Sequence, residues 1–398
     1  MTAAAEQTVL ALNGGSSSIK FALFCAPAIT QRRLHGRIER IGLAGTTLTA
    51  VAAGQRGTST AKLPAANFAA SIDALLEWLE RRKAFESVIA IGHRVVHGMQ
   101  RRAPERLTRA ALRQLRTVIP FDPEHLPAEI QLMDKLLRRF PKLPQVACFD
   151  TAFHRTMPRV ATQLPLPRRY EALGVQRYGF HGLSYAYLVQ KLAQLGDPAA
   201  RKGRVILAHL GSGASLAAVR DGASVDTTMG FTPGGGIPMS TRSGDIDPGL
   251  LSFFAGRKRM TPARIHKMLS HESGLLGMAQ TSSDIRDLLK IEATDSRAAE
   301  AVALFCQEIR KRIGAFAAVL GGVDTLVFSA GIGENSPVIR ARVCANLQFL
   351  GVHLDGAANR ANAAVISAPD SRVTVRVLPT DEELMIAQLA FNLVVSNR

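Results

Sequence analysis

Cysteine is scarce in this sequence, and its few positions suggest neither a metal site nor a disulfide framework. The 398 residues include four cysteines, which are scattered at Cys25, Cys148, Cys306 and Cys344. Their spacing matches no zinc or iron–sulfur motif. Most of them lie in apolar runs, where buried free thiols are expected. This usage indicates a reducing compartment, and we expect a cytoplasmic protein.

Long apolar runs are also missing. No segment reaches the roughly 20 apolar residues of a membrane-spanning helix. The first residues, 1–7, lack the basic and apolar regions of a signal peptide. We therefore expect no membrane association. A chain of 398 residues predicts two domains, and at this size about 75% of the unfolded chain's surface can be buried without a metal or a disulfide.

Acidic residues are few compared with basic ones. The sequence has 32 Asp and Glu residues and 49 Lys and Arg residues, which give a formal net charge of +17. The basic residues form scattered pairs and triples, such as 81–83, and no nucleic-acid-binding motif is present. The excess could attract nucleic acids, attract small anionic substrates or simply be solvated. We interpret most of it as surface composition and expect no specific nucleic-acid partner.

Two common nucleotide-binding motifs are absent as well. The chain has no Gly-x4-Gly-Lys-Ser/Thr loop, which excludes a P-loop kinase, and no Gly-x-Gly-x-x-Gly after a strand. Instead, the Gly/Ser-rich segment 13–20 lies between the apolar runs 9–12 and 21–24. This pattern predicts two strands joined by a tight turn, whose hydroxyls, backbone N–H groups and Lys20 suit a phosphate. A flexible polar hairpin tip is the alternative interpretation.

A second hairpin of the same design favours the phosphate interpretation. Residues 207–219 repeat the order of apolar strand, Gly/Ser turn and apolar strand, roughly half a chain further on. Repetition at this distance indicates a duplicated domain with a nucleotide held between two related halves. The periodicity elsewhere predicts an α/β fold with helices over 68–80, 107–118, 124–139, 184–195 and 298–320 and from Asp381 onward, strands over 88–92, 145–149, 204–208, 325–329 and 372–378, and a long ordered loop over 227–247.

Charged side chains follow several of the predicted strands. Arg94 comes after the strand 88–92, and Asp150 comes directly after the strand 145–149. His181 lies between glycines, and Arg242 lies in the polar loop. A structural ion pair for Arg94 and a helix N-cap for Asp150 are the alternatives. Together the four residues have the charges that phosphoryl transfer needs, because cations stabilise the phosphoryl oxygens and a carboxylate helps to place Mg²⁺.

These segments, in the same order and at similar spacing over nearly the whole chain, resemble the acetate kinase family. The most specific are Phe-Asp-Thr-Ala-Phe-His at 149–154 and Thr-Arg-Ser-Gly-Asp-Ile-Asp-Pro at 241–248. The resemblance implies the superfamily of acetate and sugar kinases, chaperones and actin. Its fold has two ribonuclease-H-like domains, with mixed sheets flanked by helices, around a central nucleotide cleft. We therefore expect an N-terminal domain over 1–150, on which helix 382–398 packs, and a nucleotide-binding, dimerising domain over 151–381 of a homodimer.

The resemblance also implies a reaction, in which Mg²⁺ (or Mn²⁺) supports direct in-line transfer of a phosphoryl group from ATP to acetate, giving acetyl phosphate and ADP. By position in the family's motifs, Arg94 and Arg242 would bind the carboxylate and stabilise the transferring group. His181 would donate to that group, and Asp150 would align the nucleophile and the metal. The remaining implied residues are Asn13 and Glu382 at the metal, Ser16, Ser18, Lys20, His209, Gly211, Ser212, Gly213, Asp284, Ile285, Arg286, Gly331, Ile332, Gly333 and Asn335 at the nucleotide, and Val96, Phe180, Pro233 and His125 in the substrate pocket.

Several positions depart from the family's pattern, and two alternative functions stay open. Ser212 replaces the usual Asn of the second hairpin, Gly234–Gly236 replace a bulkier segment, and Ser240 and Tyr185 are also unusual. One alternative is a propionate kinase or a broader short-chain acyl kinase, although Val96 favours acetate. The other is a weakly active nucleotide-binding regulator, against which the presence of every charged group that the chemistry needs is an argument.

Overall fold

A computed structural model describes residues 7–15, 17–54, 57–63 and 67–395. The described residues form two compact units, the first from those within 7–153, 182–187 and 381–395 and the second from 154–181 and 188–380. These units differ from the predicted domains chiefly at 182–187, which packs with the first unit although the sequence assigned it to the second domain.

The described residues form mixed α/β structure in both units. The strands are β1 (Thr8–Gly14), β2 (Ile19–Cys25), β3 (Arg32–Glu39), β4 (Thr47–Ala52), β5 (Ser59–Lys62), β6 (Val88–Val95), β7 (Glu105–Arg106), β8 (Gln145–Phe149), β9 (Arg204–Leu210), β10 (Ala214–Arg220), β11 (Ala223–Thr227), β12 (Thr325–Ser329) and β13 (Thr374–Val377). The helices are α1 (Phe68–Arg81), α2 (Arg109–Arg116), α3 (Leu126–Arg139), α4 (Arg159–Thr162), α5 (Gly182–Gln194), α6 (Gly249–Arg257), α7 (Pro262–His271), α8 (Gly274–Ala279), α9 (Ile285–Ile291), α10 (Ser296–Leu320), α11 (Ala330–Asn335), α12 (Pro337–Cys344), α13 (Gly356–Arg360) and α14 (Glu382–Val395).

The first unit contains an eight-stranded sheet in the order β5-β4-β3-β2-β1-β6-β8-β7. Strands β1, β6 and β8 run parallel to each other, whereas the β1–β2 hairpin and the strands beyond it are antiparallel. The carboxyl ends of the three parallel strands therefore meet at one edge of the sheet, which is where α/β proteins commonly bind ligands.

Helices cover both faces of the central strands of this sheet. Residues of α1 and α3, including Ile72 and Leu136, form one apolar layer with the sheet, and residues of α14, including Ile386 and Ala390, form the other. Helix α14 approaches β6 closely because position 92 is a glycine, and a β-carbon there would lie 2.6 Å from a methyl group of Ile386. Strands β1, β6 and β8 are consequently buried on both faces, which explains why they read as continuous apolar runs.

The second unit repeats the central part of this topology. Its five-stranded sheet has the order β11-β10-β9-β12-β13, in which β9 is antiparallel to its hairpin partner β10 and parallel to β12. The segment β3-β2-β1-β6-β8 of the first sheet has the same order and the same strand directions. The predicted duplicated α/β fold, with two mixed sheets flanked by helices, is confirmed.

The predicted elements are confirmed, with some shifts at their ends. Strands β8 and β12 have the predicted bounds. Helix α2 begins two residues later than predicted, because the Thr108 side chain accepts a hydrogen bond from the Ala111 N–H and caps the helix there. Residues 228–248 contain no helix or strand, as predicted for the polar loop. Among the described residues, no helix is long and apolar enough to cross a membrane.

Candidate active site

Arg94 and Asp150 are in direct contact at the carboxyl edge of the first sheet. Strands β6 and β8 are parallel neighbours whose register pairs Arg94 with Cys148, so that Asp150, the first residue after β8, lies beside the arginine. Arg94 donates to Asp150 Oδ2 through Nη2 at 2.6 Å and through Nε at 3.0 Å. Two residues that the sequence placed at separate strand ends therefore form one charged group.

A third buried side chain, Glu129 of α3, completes this group. Its Oε1 accepts a hydrogen bond from Arg94 Nη1 at 3.2 Å, and its Oε2 accepts one from the Val96 N–H at 2.9 Å. Burial raises the pKa of Glu129 to about 8 and that of Asp150 to about 6, although Arg94 opposes both shifts. Burial also disfavours the charged form of Arg94, but Asp150 and Glu129 outweigh this effect and raise its pKa.

Sequence reasoning did not find Glu129, although a signal was present. Helix α3 buries Leu126, Ile130 and Met133, and Glu129 falls on the same face. An acidic residue on the apolar face of a predicted helix indicates either a partner or a function, because a buried charge is costly when it is alone.

His125 lies just before α3, and its orientation is set by Asp122. The Oδ1 of Asp122 is 2.9 Å from both the His125 backbone nitrogen, which donates to it, and the His125 Nδ1. Burial favours the neutral form of Asp122, but the hydrogen bonds from His125 and the charge of Arg94 lower its pKa. Two of the predicted pocket residues, His125 and the buried Val96, lie in the first unit together with Arg94.

The predicted metal residues lie where α14 begins. Asn13 Nδ2 donates to Glu382 Oε2 at 2.9 Å and to Glu383 Oε1 at 3.3 Å. The charge of Glu382 contributes to the raised pKa of Asp150, so these two carboxylates are close to each other. The Oδ1 of Asp150 is buried and has no hydrogen-bond partner, which is unusual for a carboxylate oxygen and is the arrangement that a cation would satisfy.

This donor set fits magnesium bound jointly by protein and substrate. Within the part of the chain that the structure describes, no cluster of three or more His, Cys, Asp or Glu residues is arranged to hold a metal. Mg²⁺ usually needs only one or two carboxylates, because water and substrate phosphates supply its other ligands. The side chains of Asn13, Asp150 and Glu382 meet that requirement.

The first phosphate hairpin faces the same acidic residues. Asn13 and Lys20 are paired across β1 and β2, and the Gly15 N–H donates to the Ser18 carbonyl at 2.8 Å to close the turn. Burial raises the pKa of Glu383, and the positive charge of Lys20 opposes that shift. Lys20 is therefore close enough to this carboxylate to interact with it. The predicted Ser16 lies outside the described residues.

In the second unit, His181 and Arg242 approach the second hairpin. His181 has φ = 59°, and its Nδ1 shares a hydrogen bond with Ser215 Oγ at 2.9 Å. Its ring also stacks on that of His209, with 4.2 Å between the centroids. A β-carbon at Gly213 would lie 3.4 Å from His181 Nε2 and 3.8 Å from Arg242 Nη1. The glycine therefore leaves room for both side chains at the turn.

The pocket residues Pro233 and Phe180 belong to this neighbourhood. The Pro233 carbonyl accepts a hydrogen bond from Arg242 Nη1 at 3.3 Å. Phe180 is buried and immediately precedes His181. The predicted catalytic residues of this unit are thus held by the hairpin and by the polar loop together.

A cavity of about 700 Å³ opens beside the second hairpin. Eight of the predicted nucleotide residues line it, namely Gly211, Ser212, Asp284, Ile285, Arg286, Gly331, Ile332 and Asn335. Its volume is within the usual range for sites that bind a small molecule or cofactor. The predicted Gly333 is not part of this lining, because it packs against Phe328.

The sequence missed six further lining residues, which are Ser240, Ser283, Leu289, Ser336, Pro337 and Val338. Ser283 and Ser336 are each adjacent to a predicted residue, so the cavity lining extends beyond the predicted segments. Ser240 joins the lining because its N–H donates to the Ser212 carbonyl at 3.2 Å, a contact between the polar loop and the hairpin.

Comparison with known proteins agrees with this geometry. The model of the acetokinase family matches residues 8–388. The chain belongs to the acetokinase family. It is 44% identical to the acetate kinase of Methylocella silvestris over 96% of this chain and 97% of that protein. It is 43% identical to the propionate kinase of Citrobacter rodentium over 96% of this chain and 95% of that protein.

A solved structure gives the same result for the fold. The crystal structure of Porphyromonas gingivalis acetate kinase is similar with a TM-score of 0.88 at 35% identity, covering 98% of this chain and 100% of that one. As a member of the acetokinase family, the chain is a phosphotransferase with a carboxyl group as acceptor, and a nucleotide is among its substrates. Identity alone does not select the acid, because acetate and propionate kinases match almost equally well.

Proposed function

We propose that the chain is an acetate kinase, which transfers the γ-phosphoryl group of ATP to acetate and gives acetyl phosphate and ADP reversibly. The observation that carries this proposal is the buried group of Arg94, Asp150 and Glu129. It presents a fixed guanidinium group, the side chain best suited to binding a carboxylate, next to carboxylates that suit a metal.

Positioning and electrostatics carry the proposed reaction. Acetate is already a nucleophilic carboxylate, so no strong general base is needed. Arg94 binds the acetate carboxylate, one oxygen of which forms a bond to the γ-phosphorus while the bond to the ADP oxygen breaks. Arg242 and His181 stabilise the negative charge on the transferring oxygens. Ser215 fixes the Nδ1 side of the His181 ring, so its Nε2 is the atom that lies beside Gly213.

Magnesium, or manganese, would be held by Asn13 and Glu382 with Asp150 beside them, and when bound it neutralises charge on the phosphate oxygens. Removing it with EDTA should abolish turnover, and added Mg²⁺ should restore it. Asn13→Ala should raise the Mg²⁺ concentration that half-maximal activity requires. An unchanged requirement would show that Asn13 has no part in the metal site.

The cavity of the second unit is the proposed nucleotide site. Asp284 and Arg286 form an ion pair of 2.5 Å at its wall, and Gly331 and Ile332 lie in the same lining. We propose that these residues enclose adenosine. The hairpin residues Gly211–Gly213 would contact the phosphates. The Ser212 side chain is shorter than that of the family's usual Asn, so it would reach less far towards them.

Acetate is the preferred acid in this proposal, because the buried Val96 side chain limits the room for a longer acyl chain. The test is kcat/KM for acetate, propionate and butyrate in a hydroxamate assay with ATP and Mg²⁺. We expect acetate to lead propionate by about tenfold or more, since one methylene is worth about 1–3 kcal/mol. Val96→Ala should reduce this lead.

The second candidate is a propionate kinase, because the chain is 43% identical to the Citrobacter rodentium enzyme. A clear lead of propionate in the same assay would establish it. Turnover near background with tight ADP binding would instead indicate a nucleotide-binding regulator. The homodimer and the cytoplasmic location stay predictions, and light scattering at several protein concentrations tests the first of them.

A further inference from the structure

Glu129 joins two parts of the substrate site that the proposed function treats separately. One carboxylate oxygen accepts a hydrogen bond from Arg94 Nη1 at 3.2 Å, and the other accepts one from the Val96 N–H at 2.9 Å. The Glu129 side chain is 1% exposed, so water does not compete for either contact. Its position on the 14-residue helix α3 gives it a rigid base.

These contacts constrain the direction of the Arg94 guanidinium group. Asp150 takes Nε and one N–H of Nη2, and Glu129 takes one N–H of Nη1. A guanidinium group held on two sides has little rotational freedom left. Bidentate hydrogen bonding to a carboxylate requires a guanidinium group of fixed orientation. Asp150 alone would leave the Nη1 side of the arginine without this restraint.

The Val96 contact gives the same carboxylate a second effect. Val96 lies just beyond β6, and its side chain is the proposed wall of the acyl pocket. Through Glu129, the backbone that carries this wall and the guanidinium group that binds the acid are held at a fixed separation. The length of acyl chain that fits depends on that separation.

We propose that Glu129 is a positioning residue that fixes Arg94 relative to the Val96 wall and thereby sets the acyl-chain preference of the kinase. This proposal rests on the proposed function, because it assigns the group at Arg94 to the acid substrate. Glu129 acts through Arg94 and Val96, and the proposal requires no contact between Glu129 and the substrate.

The test compares Glu129→Ala with Glu129→Gln. Alanine removes both hydrogen bonds, and we expect kcat/KM for acetate to fall about 100-fold, the loss typical of a misplacement near 1 Å. The KM for ATP should change less than about twofold, because nucleotide contacts are untouched, and the lead of acetate over propionate should shrink about fivefold or more. Glutamine keeps an acceptor at this position, so it should recover at least part of both losses.

A second measurement tests whether the Glu129 carboxyl group is buried as the structure shows. The charged groups that act on Glu129 are Arg94, Asp150 and Asp122. Because its folded-state pKa is raised to about 8, a carboxyl here favours folding below its ordinary pKa, and that advantage is lost as pH rises towards 8. The Tm of the wild type should therefore fall relative to that of Glu129→Gln between pH 5 and pH 8.5.

Asp197→Asn is the matched control for this experiment. Asp197 is also a buried carboxylate paired with an arginine, Arg376 at 2.8 Å, but it belongs to the second unit and to neither proposed site. It should lower Tm without changing the ratio of kcat/KM for acetate to that for propionate. A change in this ratio equal to that of Glu129→Ala would show a merely structural effect and overturn the proposal.

The outcomes distinguish this inference from the proposed function. If the wild type phosphorylates none of the three acids, the proposed function fails and the positioning role fails with it. If the wild type is active and Glu129→Ala keeps its kcat/KM and its acid preference, only the positioning role is wrong.

Discussion

Three carboxylates act on the single guanidinium group of Arg94, and two of them are buried. Asp150 and Glu129 contact the arginine directly, and Glu382 acts on both Arg94 and Asp150 through its charge. One guanidinium group faces three carboxylates, of which Asp150 and Glu129 are buried, and burial raises the pKa values of these two. A divalent cation would remove this imbalance. The electrostatics of this group are consistent with the proposed binding of a metal ion together with the nucleotide.

Removing the Arg242 guanidinium group tests its role in the transition state. Arg242→Ala should lower kcat by about 10³–10⁵, the range measured for arginines that stabilise a transferring phosphoryl group. ADP should still bind with nearly unchanged affinity, because Arg242 is not among the residues that line the cavity. Steady-state kinetics and ADP titration by calorimetry measure the two effects.

Arg264→Ala is the control for that variant. Arg264 is 48% exposed and pairs with Glu272 at 2.8 Å on the surface, so its loss should leave kcat within about twofold. If Arg242→Ala also kept a tenth or more of the wild-type kcat, Arg242 would have no place in the transition state.

The start of α5 is the element on which the Asp150 group depends most directly. The Leu183 N–H is among the groups that oppose the rise in the pKa of Asp150, so the first turn of this helix contributes to the carboxylate's surroundings. Gly182 packs so closely against the Asp150 carbonyl oxygen that a β-carbon could not be accommodated without movement. This contact explains why 182–187 belongs to the first unit.

Gly182→Ala should therefore disturb both stability and catalysis. We expect a loss of about 1–3 kcal/mol from overpacking, equivalent to several degrees in Tm for a domain of this size, and a marked fall in kcat because Asp150 shifts. Gly256→Ala in the exposed helix α6 is the control, since no atom lies within 4 Å of its β-carbon position. It should leave kcat unchanged and Tm equal or higher. Equal behaviour of the two variants would contradict the packing argument.

Arg340 supports a helix that lines the cavity proposed for the nucleotide. This arginine is fully buried on α12. It donates to neutral acceptors, which are the backbone carbonyls of Gly333, Glu334 and Asn359 and the side-chain oxygens of Asn359 and Asn362. Burial lowers its pKa. The contacts with Gly333 and Glu334 hold the end of α11, the helix that supplies Gly331 and Asn335 to the cavity.

Arg340→Met should destabilise the protein by about 2–4 kcal/mol, because it leaves several buried acceptors unsatisfied. It should also weaken ADP binding, since the end of α11 loses its support. Arg342→Met, two residues further on, is the control, because Arg342 is 40% exposed and forms a surface pair with Glu292. Such pairs contribute about 0–1 kcal/mol. Thermal unfolding with and without ADP measures both effects. Equal losses of stability and of ADP binding in the two variants would refute the role of Arg340.

At the scale of the whole molecule, the charge of +17 is not explained by the site. Many of the basic residues form exposed pairs with acids, such as Arg138 with Asp134 and Lys311 with Glu308. The unpaired excess is distributed along the chain as scattered pairs and triples, without a nucleic-acid-binding motif. This distribution favours long-range electrostatic attraction to nucleic acid that does not depend on its base sequence.

Binding to duplex DNA should therefore be weak, independent of sequence and strongly dependent on salt. We expect measurable binding at 20 mM salt and none near 150 mM, because affinity that rests on counterion release falls steeply with ionic strength. Fluorescence anisotropy with two unrelated duplexes measures it. Binding that survives 150 mM salt, or that prefers one duplex, would point to a nucleic-acid function.

Much of the fold and of the candidate site could be predicted from the sequence, because the signals are local. The hairpins 13–20 and 207–219 carry their own turn residues between apolar strands, and the duplicated topology follows from their similarity. The sequence placed Arg94 and Asp150 at the ends of two separate predicted strands, and the parallel register of β6 and β8 brings the two residues together.

What the amino-acid order determined by itself was therefore the two hairpins, the central strands and the longer helices, because periodicity and turn chemistry act between near neighbours. Only the tertiary structure decided that Glu129 reaches Arg94 from a helix 35 residues away, that 182–187 packs with the first unit and that Arg340 donates to backbone carbonyls and to asparagine side chains. Those outcomes depend on packing between distant segments. Burial there changes the free energy of a charge, and a local pattern indicates at most that such a residue lies on a buried face, not which partner it meets.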